Sequence, residues 1–184
     1  MTARAAALLL VLSACGYGVA ATDAPADPYY EGVTAVRANS AIRDSKDQVI
    51  GLATFRETRL GVVVDVRVTG LPAGKHGIHI HAVGKCDAPD FMSAGAHFNP
   101  NGAQHGLLNP KGPHAGDLPN LVVDQNGKGS ISYVDPLVSL ETGAANSLLL
   151  GTSIIIHADP DDEMTDPAGN SGSRIACGVI AKAG

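Results

Sequence analysis

The histidines of this chain carry its most informative pattern. Seven are present, and all but one of them fall, together with one aspartate, at intervals typical of metal ligands. The set is His79, His81, His97, His105, His114, Asp117 and His157. Imidazole is the commonest metal-binding side chain in proteins. The set offers enough nitrogen and oxygen to hold two ions, with one imidazole left to link them.

These intervals predict two clusters of ligands. On a β-strand, residues two apart face the same side, so His79 and His81 can reach one ion. That cluster has only His157 besides these two for its own use, and a site of imidazole nitrogens favours copper(II). The second cluster combines imidazoles with a carboxylate, a set suited to a closed structural zinc site. Its members are His97, His105, His114 and Asp117.

Composition narrows the function further. The chain has 184 residues and a net charge of −5, so a broad nucleic-acid interface is not expected. No apolar stretch approaches the roughly 20 residues that a membrane-spanning helix needs. The 22 glycines and 11 prolines indicate many turns. These features favour one small exported domain with a substrate other than nucleic acid.

The N-terminus is predicted to direct export. Residues 1–14 look like a signal peptide, with Arg4 before an apolar run from Ala5 to Leu12. Leu12-Ser13-Ala14-Cys15 resembles a bacterial lipobox, in which Cys15 is acylated and becomes the new N-terminus. Residues 15–31 would then be a flexible tether and residues 32–184 the folded domain, held in the cell envelope. The alternative is cleavage after Val19-Ala20-Ala21, which would release a soluble secreted protein.

The other two cysteines are predicted to pair. Export places the chain in an oxidising compartment, where Cys86 and Cys177 would form a disulfide. The alternative is two free buried thiols. A bond between residues so far apart in sequence would lower the entropy of the unfolded chain by an amount worth roughly 4–5 kcal/mol in the chain-entropy description.

Short strands and frequent turns predict an all-β fold that positions these residues. Val62, Val64, Val66 and Val68 alternate with other residues at the two-residue period of a half-buried strand. Asn126-Gly127 marks a hairpin. Strands are predicted at residues 49–58, 62–69, 77–82, 121–123, 130–134, 153–157 and 174–181, and a short helical turn at 137–142. Two long irregular segments, 83–120 and 158–173, carry most of the ligands or lie beside them, which favours functional loops.

Four motifs, taken together, resemble the copper-zinc superoxide dismutase family in its bacterial secreted or lipoprotein form. Residues 77–84, around His79-Ile80-His81, resemble its copper strand, and Ala96-His97-Phe98-Asn99-Pro100 its bridging-histidine motif. His114-Ala115-Gly116-Asp117-Leu118 is similar to its zinc motif, and residues 173–180 to its C-terminal signature. The resemblance runs from about residue 32 to 180. It implies a Greek-key antiparallel β-sandwich, a flattened eight-stranded barrel with two long functional loops.

The resemblance also implies the cofactors and the reaction. One copper would be bound by His79, His81, His97 and His157, and one zinc by His97, His105, His114 and Asp117. His97 would be shared as an imidazolate, which two dications can stabilise. A Cu(II)/Cu(I) cycle would convert superoxide into dioxygen and hydrogen peroxide, with His97 acting as an acid and base and zinc, which has no redox chemistry, tuning this bridge.

Three further residues take roles from the same resemblance. Arg174 would orient the substrate anion, because guanidinium keeps its charge and offers paired donors. Asp161 would link a copper ligand, His79, to a zinc ligand, His105, through hydrogen bonds that fix both rings. His76 would be a structural histidine without a ligand role.

The chain also departs from the animal members of that family. Cys86 follows His81 by only five residues, which resembles bacterial members. The loop at residues 158–173 is short and rich in acids, so guidance of superoxide by basic residues of this loop is not expected. We expect Arg174, the copper charge and Lys85 to supply the attraction instead.

Two other functions remain open at this stage. One is a copper carrier that uses the same fold without catalysis, and the other is a structural zinc domain of the envelope. Retention of all four copper histidines and of Arg174 favours the enzyme over both. The expected partners are superoxide, a membrane through the lipid anchor alone, and a second copy of the chain if the protein is a homodimer.

Overall fold

The computed structural model describes residues 37–184. The predicted signal peptide, Cys15, the tether and the start of the domain at residue 32 lie outside the described residues. Within the described part, no helix has the length and apolar character needed to cross a membrane.

The described residues form ten strands and two short 3-10 helices. The first five strands are β1 (Arg37–Asp44), β2 (Val49–Thr58), β3 (Gly61–Val68), β4 (Gly74–His76) and β5 (Ile78–His81). The others are β6 (Leu121–Val123), β7 (Gly129–Asp135), β8 (Ser153–His157), β9 (Arg174–Val179) and β10 (Ala181–Lys182). The 3-10 helices are Met92–Ala94 and Leu148–Leu150.

The strands form a nearly closed antiparallel barrel. Their order is β4-β6-β7-β3-β2-β1-β9-β8-β5, with β10 on β1. Gly77 alone separates β4 from β5, so the two ends of this order are halves of one bent strand. In the same way β10 continues β9 along β1 after Ile180. The barrel therefore has eight strands, and its crossovers from β3 to β4 and from β7 to β8 are those of a Greek key, as predicted.

Burial explains how the barrel presents its functional face. On β3 the predicted valines point into the core, while Arg67 on the opposite face is exposed. Strand β5 differs because all four of its residues are buried. Ile78 and Ile80 fill the core, so His79 and His81 must point outward. They are nevertheless buried because the long loops cover this side of the barrel.

The structure corrects three details of the predicted elements. Strand β1 was not predicted, because its inward residues Ala38, Ser40 and Ile42 form a weak apolar pattern. The predicted helical turn at residues 137–142 is wrong. The nearby 3-10 helix is Leu148–Leu150, where the Ser147 side chain accepts a hydrogen bond from the Leu149 amide. Residues 74–76 were not predicted to be a strand, but they form β4, because they pair with β6.

Candidate metal centre

Backbone hydrogen bonds hold the first long loop against β5. The Ile80 amide donates to Gly116 O at 2.8 Å, and the Phe98 amide donates to Ile80 O at 2.8 Å. A Cβ on Gly116 would lie 2.3 Å from Ile80 O, so this close approach requires glycine. The loop thereby brings His97 opposite His81 and Asp117 opposite His79. Histidines that are far apart in sequence thereby come together beside β5.

Four of these histidines converge on one point. Each has a buried ring nitrogen without a hydrogen-bond partner. These atoms are Nδ1 of His79 and Nε2 of His81, His97 and His157. One ligand atom from each ring lies within 4.8 Å of those of the other three. Buried polar atoms are normally hydrogen-bonded. An unpaired and convergent set of four nitrogens fits a copper ion.

Loop contacts decide which nitrogen of each ring is free. His81 Nδ1 donates to Gly95 O at 2.9 Å, and His157 Nδ1 donates to Gly172 O at 3.2 Å. A neutral ring that donates through one nitrogen presents a lone pair at the other. The Nε2 atoms of these two rings are therefore in the form that binds metal.

The second cluster surrounds one oxygen of Asp117. Its Oδ1 lies 3.0 Å from Nδ1 of His97, 3.0 Å from Nδ1 of His105 and 3.3 Å from Nδ1 of His114. The Nδ1 atoms of His97 and His114 are 3.4 Å apart. A tetrahedral zinc with bonds of about 2.0 Å has ligand atoms about 3.3 Å from one another. The spacing of these four atoms fits one zinc ion.

His79 also lies close to this second cluster. Its ligand atoms group with those of His97, His105 and Asp117 within 4.8 Å. The predicted fourth zinc ligand is His114, whose Nδ1 lies 3.3 Å from Asp117 Oδ1. His79 has its Nε2 hydrogen-bonded to Asp161 and its Nδ1 in the copper cluster.

His97 presents a different ring nitrogen to each cluster. Its Nδ1 faces Asp117 Oδ1 at 3.0 Å, and its Nε2 belongs to the unpartnered set. That His97 is shared between two ions stays a prediction.

Asp161 links the two clusters through hydrogen bonds to one histidine of each. Its carboxylate accepts hydrogen bonds from Nε2 of His79 at 2.7 Å and from Nε2 of His105 at 3.0 Å. The Asn120 side chain holds the backbone of Asp161 on both sides, at 2.8 Å each. Asn120 was not predicted, because its only signal in the sequence is its place three residues after Asp117.

The copper cluster opens to solvent through a cavity. This cavity measures about 470 Å³ and is lined by His81, His97, His157 and Arg174, among others. The Arg174 guanidinium donates to Phe91 O at 2.7 Å and to Gly95 O at 2.6 Å. Lys85 is not among the lining residues, so the expectation that it contributes attraction at the mouth gains no support.

Comparison with known proteins decides the family. Residues 49–180 match the family model described as copper/zinc superoxide dismutase (SODC). The chain belongs to the copper/zinc superoxide dismutase family. The superoxide dismutase [Cu-Zn] 2 of Aquifex aeolicus is 47% identical over 148 residues, covering 79% of this chain and 86% of that protein. The superoxide dismutase [Cu-Zn] of Caulobacter vibrioides is 43% identical over 141 residues, covering 74% and 80%.

Solved structures with a similar fold support this family membership. A SOD-like protein from Bacillus subtilis superimposes with a TM-score of 0.74 at 38% identity, covering 77% of this chain and 96% of that one. The clock protein EA4 superimposes with a TM-score of 0.69 at 35% identity, covering 81% and 96%. Copper and zinc are the cofactors of the family, and the two clusters described above can hold them.

Burial sets the protonation of the copper histidines. It lowers the pKa of His79 to about 3, that of His81 to about 2 and that of His157 to about 4. Burial also lowers the pKa of His97. All four rings are therefore neutral at pH 7, which is the form that binds metal ions.

In the second cluster, hydrogen bonds between carboxylates and imidazoles outweigh the effect of burial on the pKa values. Burial alone would lower the pKa of His105, but its hydrogen bonds to Asp117 and Asp161 raise that pKa to about 9. Burial alone would raise the pKa of Asp117, but hydrogen bonds from the surrounding histidines hold it well below its usual range. The zinc side thus carries an ionised carboxylate among hydrogen-bonding imidazoles.

The predicted disulfide is present. Cys86 and Cys177 are joined across 91 residues, with their Cα atoms 5.6 Å apart. A loop of that length is worth about 4–5 kcal/mol in the chain-entropy description. The bond connects the first long loop to β9, the strand on which Arg174 lies.

His76 takes the structural place expected for it in this family. Its ring nitrogens lie 2.8 Å from His157 O and 2.9 Å from Pro72 O. It is buried but belongs to neither ligand cluster.

Proposed function

We propose that this protein converts superoxide into dioxygen and hydrogen peroxide. The observation that carries the proposal is the convergence of four unpartnered imidazole nitrogens at the base of a cavity that also contains Arg174. Copper, when bound, supplies a one-electron couple that can oxidise one superoxide and reduce the next. Membership of the copper/zinc superoxide dismutase family supports this reaction.

The proposed ligands are those that the two clusters bring together. His79 and His81 would bind copper from β5, and His157 from the end of β8. His105, His114 and Asp117 would bind zinc from the first long loop. His97 would serve both ions, and Asp161 would fix the rings of a ligand on each side.

His97 is proposed to handle a proton. Its Nε2 faces the copper cluster without a hydrogen-bond partner, while its Nδ1 stays beside Asp117. The zinc side therefore orients the ring, so that Nε2 can hold a proton in one half of the cycle and release it in the other. Product formation needs two protons for each peroxide, and a group with a fixed position shortens that transfer.

Arg174 is proposed to orient superoxide. Two carbonyls hold its guanidinium at the cavity that leads to His97 and the other copper ligands. A guanidinium stays charged at every relevant pH and presents paired donors to a small oxyanion. The substrate would therefore meet a positive group before it reaches the histidines.

We also propose that the enzyme acts in the cell envelope, anchored through Cys15. The motif ending at Cys15 and the disulfide both favour an exported protein. Metabolic labelling with a radioactive fatty acid tests the anchor. Wild-type protein should be labelled and Cys15→Ala should not, whereas equal labelling would contradict the anchor. Release of a soluble protein cleaved after Ala21 would favour the secreted form.

Reconstitution with metal tests the reaction. The purified protein is loaded with copper and zinc, the bound ions are counted, and the decay of superoxide is followed directly. One ion of each kind together with rapid decay is the expected result. Copper binding without turnover would favour a copper carrier, and zinc without copper would favour a structural zinc domain.

A further inference from the structure

Arg174 is held by one short segment of the first long loop. Both carbonyls that accept its hydrogen bonds, those of Phe91 and Gly95, belong to residues 87–95, which we call the arginine-holding segment. The position of the guanidinium therefore depends on what fixes this segment against the barrel.

A small apolar cluster outside the barrel core fixes it. Phe91 is 1% exposed and packs with Ala94, Ile155 and Cys177, against which Cys86 also lies. Ile155 is the residue of β8 between two core-facing isoleucines, so it points to the outer face of that strand. Phe91 is the largest side chain in this cluster. Phe91 and Ala94 are the two buried residues of the arginine-holding segment.

The backbone at Phe91 adapts to this contact. Its φ of 55° and ψ of 24° lie in the left-handed region, which a bulky residue rarely adopts. Such a conformation persists where the surrounding structure requires it. Here it lets the ring enter the cluster while the carbonyl of the same residue receives Arg174 Nη1 at 2.7 Å.

We propose that Phe91 is a positioning residue for Arg174. Its buried ring anchors the arginine-holding segment, and the segment's carbonyls hold the guanidinium at the cavity. The proposal rests on the proposed role of Arg174 in binding the substrate anion. This role differs from one for the disulfide alone. Cys86 lies five residues before Phe91, and its carbonyl accepts neither of the hydrogen bonds from Arg174.

Replacement of Phe91 by leucine in the copper- and zinc-loaded protein tests the proposal. Leucine remains apolar but fills less of the cluster, so the carbonyls and the arginine should shift. We expect kcat/KM for superoxide to fall on the order of tenfold, as for other small displacements of a binding group. The affinity for azide, a small monoanion, should fall by a similar factor when followed through the visible absorption of copper.

Ile155→Val is the matched control. This substitution removes a methyl group from the same cluster, but Ile155 supplies neither of the carbonyls that accept hydrogen bonds from Arg174. We expect kcat/KM and azide affinity to stay within about twofold of wild type. Thermal unfolding of both variants measures the loss of stability. An equal loss of anion affinity in the control would show that loosening the cluster, rather than Phe91, is responsible, and would overturn the proposal.

A double-mutant cycle with Arg174→Gln separates this proposal from the proposed function. Arg174→Gln alone should lower kcat/KM on the order of tenfold or more, since it removes charge-assisted hydrogen bonds. Adding Phe91→Leu to it should change kcat/KM by less than about twofold, because the residue it positions is gone.

Two outcomes of the cycle count against the proposals in different ways. If Phe91→Leu has the same effect with and without the arginine, Phe91 does not act through Arg174, while the role of Arg174 stands. If Arg174→Gln leaves kcat/KM unchanged, the proposed role of the arginine fails and the positioning role fails with it. Phe91→Met, whose unbranched side chain can adapt its shape to the cluster, is measured in the same cycle should the leucine variant not fold.

Discussion

Buried polar atoms without a hydrogen-bond partner occur in two contrasting regions of the described chain. Four of them are the ring nitrogens of His79, His81, His97 and His157, which converge on one point. The other two, Ser40 Oγ and Asp135 Oδ2, belong to different strands of the barrel. An isolated unpaired group only costs stability. A convergent set of unpaired nitrogens can hold a metal ion, so the same defect has opposite meanings in the two cases.

Removal of His97 should have the largest effect on the convergent region. His97→Ala takes a nitrogen from the copper cluster and another from the zinc cluster. We expect kcat/KM for superoxide to fall about 100-fold or more, since the ring is also proposed to handle a proton. The copper absorption spectrum should change as well. An unchanged spectrum with unchanged turnover would contradict the shared-ligand assignment.

Asp161→Asn should have the next largest effect. The carboxylate fixes His79 and His105, one ring in each cluster. Loss of such a contact typically lowers metal affinity by about 10- to 100-fold, and both ions should be affected. Competition with a chelator measures this for copper and zinc separately. Asp159→Asn, at an exposed acid of the same loop, is the control and should retain both ions. Loss of one ion alone would mean that Asp161 does not couple the clusters.

Asp135 carries one of the two isolated unpaired atoms, so it tests the other side of the comparison. Burial raises the pKa of its carboxyl to about 7 from the usual value of 3.8. Because the folded pKa is the higher one, the unfolded chain gives up this proton first, and stability is lost as the pH rises from about 4 to 7. Asp135→Asn cannot ionise, so it should raise the free energy of unfolding by about 4 kcal/mol at pH 8, at roughly 1.4 kcal/mol for each unit of pKa difference, and change it little at pH 4.

Urea unfolding at the two pH values measures this difference. Metal content and superoxide turnover should stay as in the wild type, because Asp135 belongs to neither ligand cluster. A gain of equal size at both pH values would mean that ionisation of Asp135 is not the cause.

The smallest expected effect concerns the approach of superoxide through the cavity that leads to the convergent histidines. Asp90 lines the same cavity as Arg174, and its Oδ1 accepts a hydrogen bond from the Met92 amide at 3.0 Å. Asp90→Asn keeps an acceptor but removes a negative charge that repels superoxide. We expect kcat/KM to rise about twofold at low ionic strength and the gain to vanish at about 1 M salt, where charges are screened. A gain that persists in salt would point to a structural change instead.

Much of the fold was predictable from local patterns. The alternating valines of β3 and the Asn126-Gly127 hairpin identified strands without any tertiary information. Strand β1 escaped because two of its inward residues, Ala38 and Ser40, are small or polar and give little apolar contrast. The 3-10 helix at Leu148–Leu150 is too short to produce a periodic signal.

The ligands were predictable for a different reason. Few side chains can bind copper or zinc, so their types and intervals restrict the choice strongly. The residues that support them could not be found in this way. Asn120 and Phe91 are ordinary residue types, and they act through contacts with Asp161 and Arg174, which lie 41 and 83 residues further along the chain.

The sequence by itself determined which side chains are suited to bind metal, and that His79 and His81 share a face of one strand. Only the tertiary structure decided which nitrogen of each ring is free to bind. That choice depends on the atom that occupies the other nitrogen. For His81 and His157 it is a carbonyl of a covering loop, and for His79 it is the carboxylate of Asp161. Hydrogen bonds of this kind exist only after the loops have closed over the barrel, so no local pattern reveals them, and the Asp161 contact was expected from the family resemblance alone.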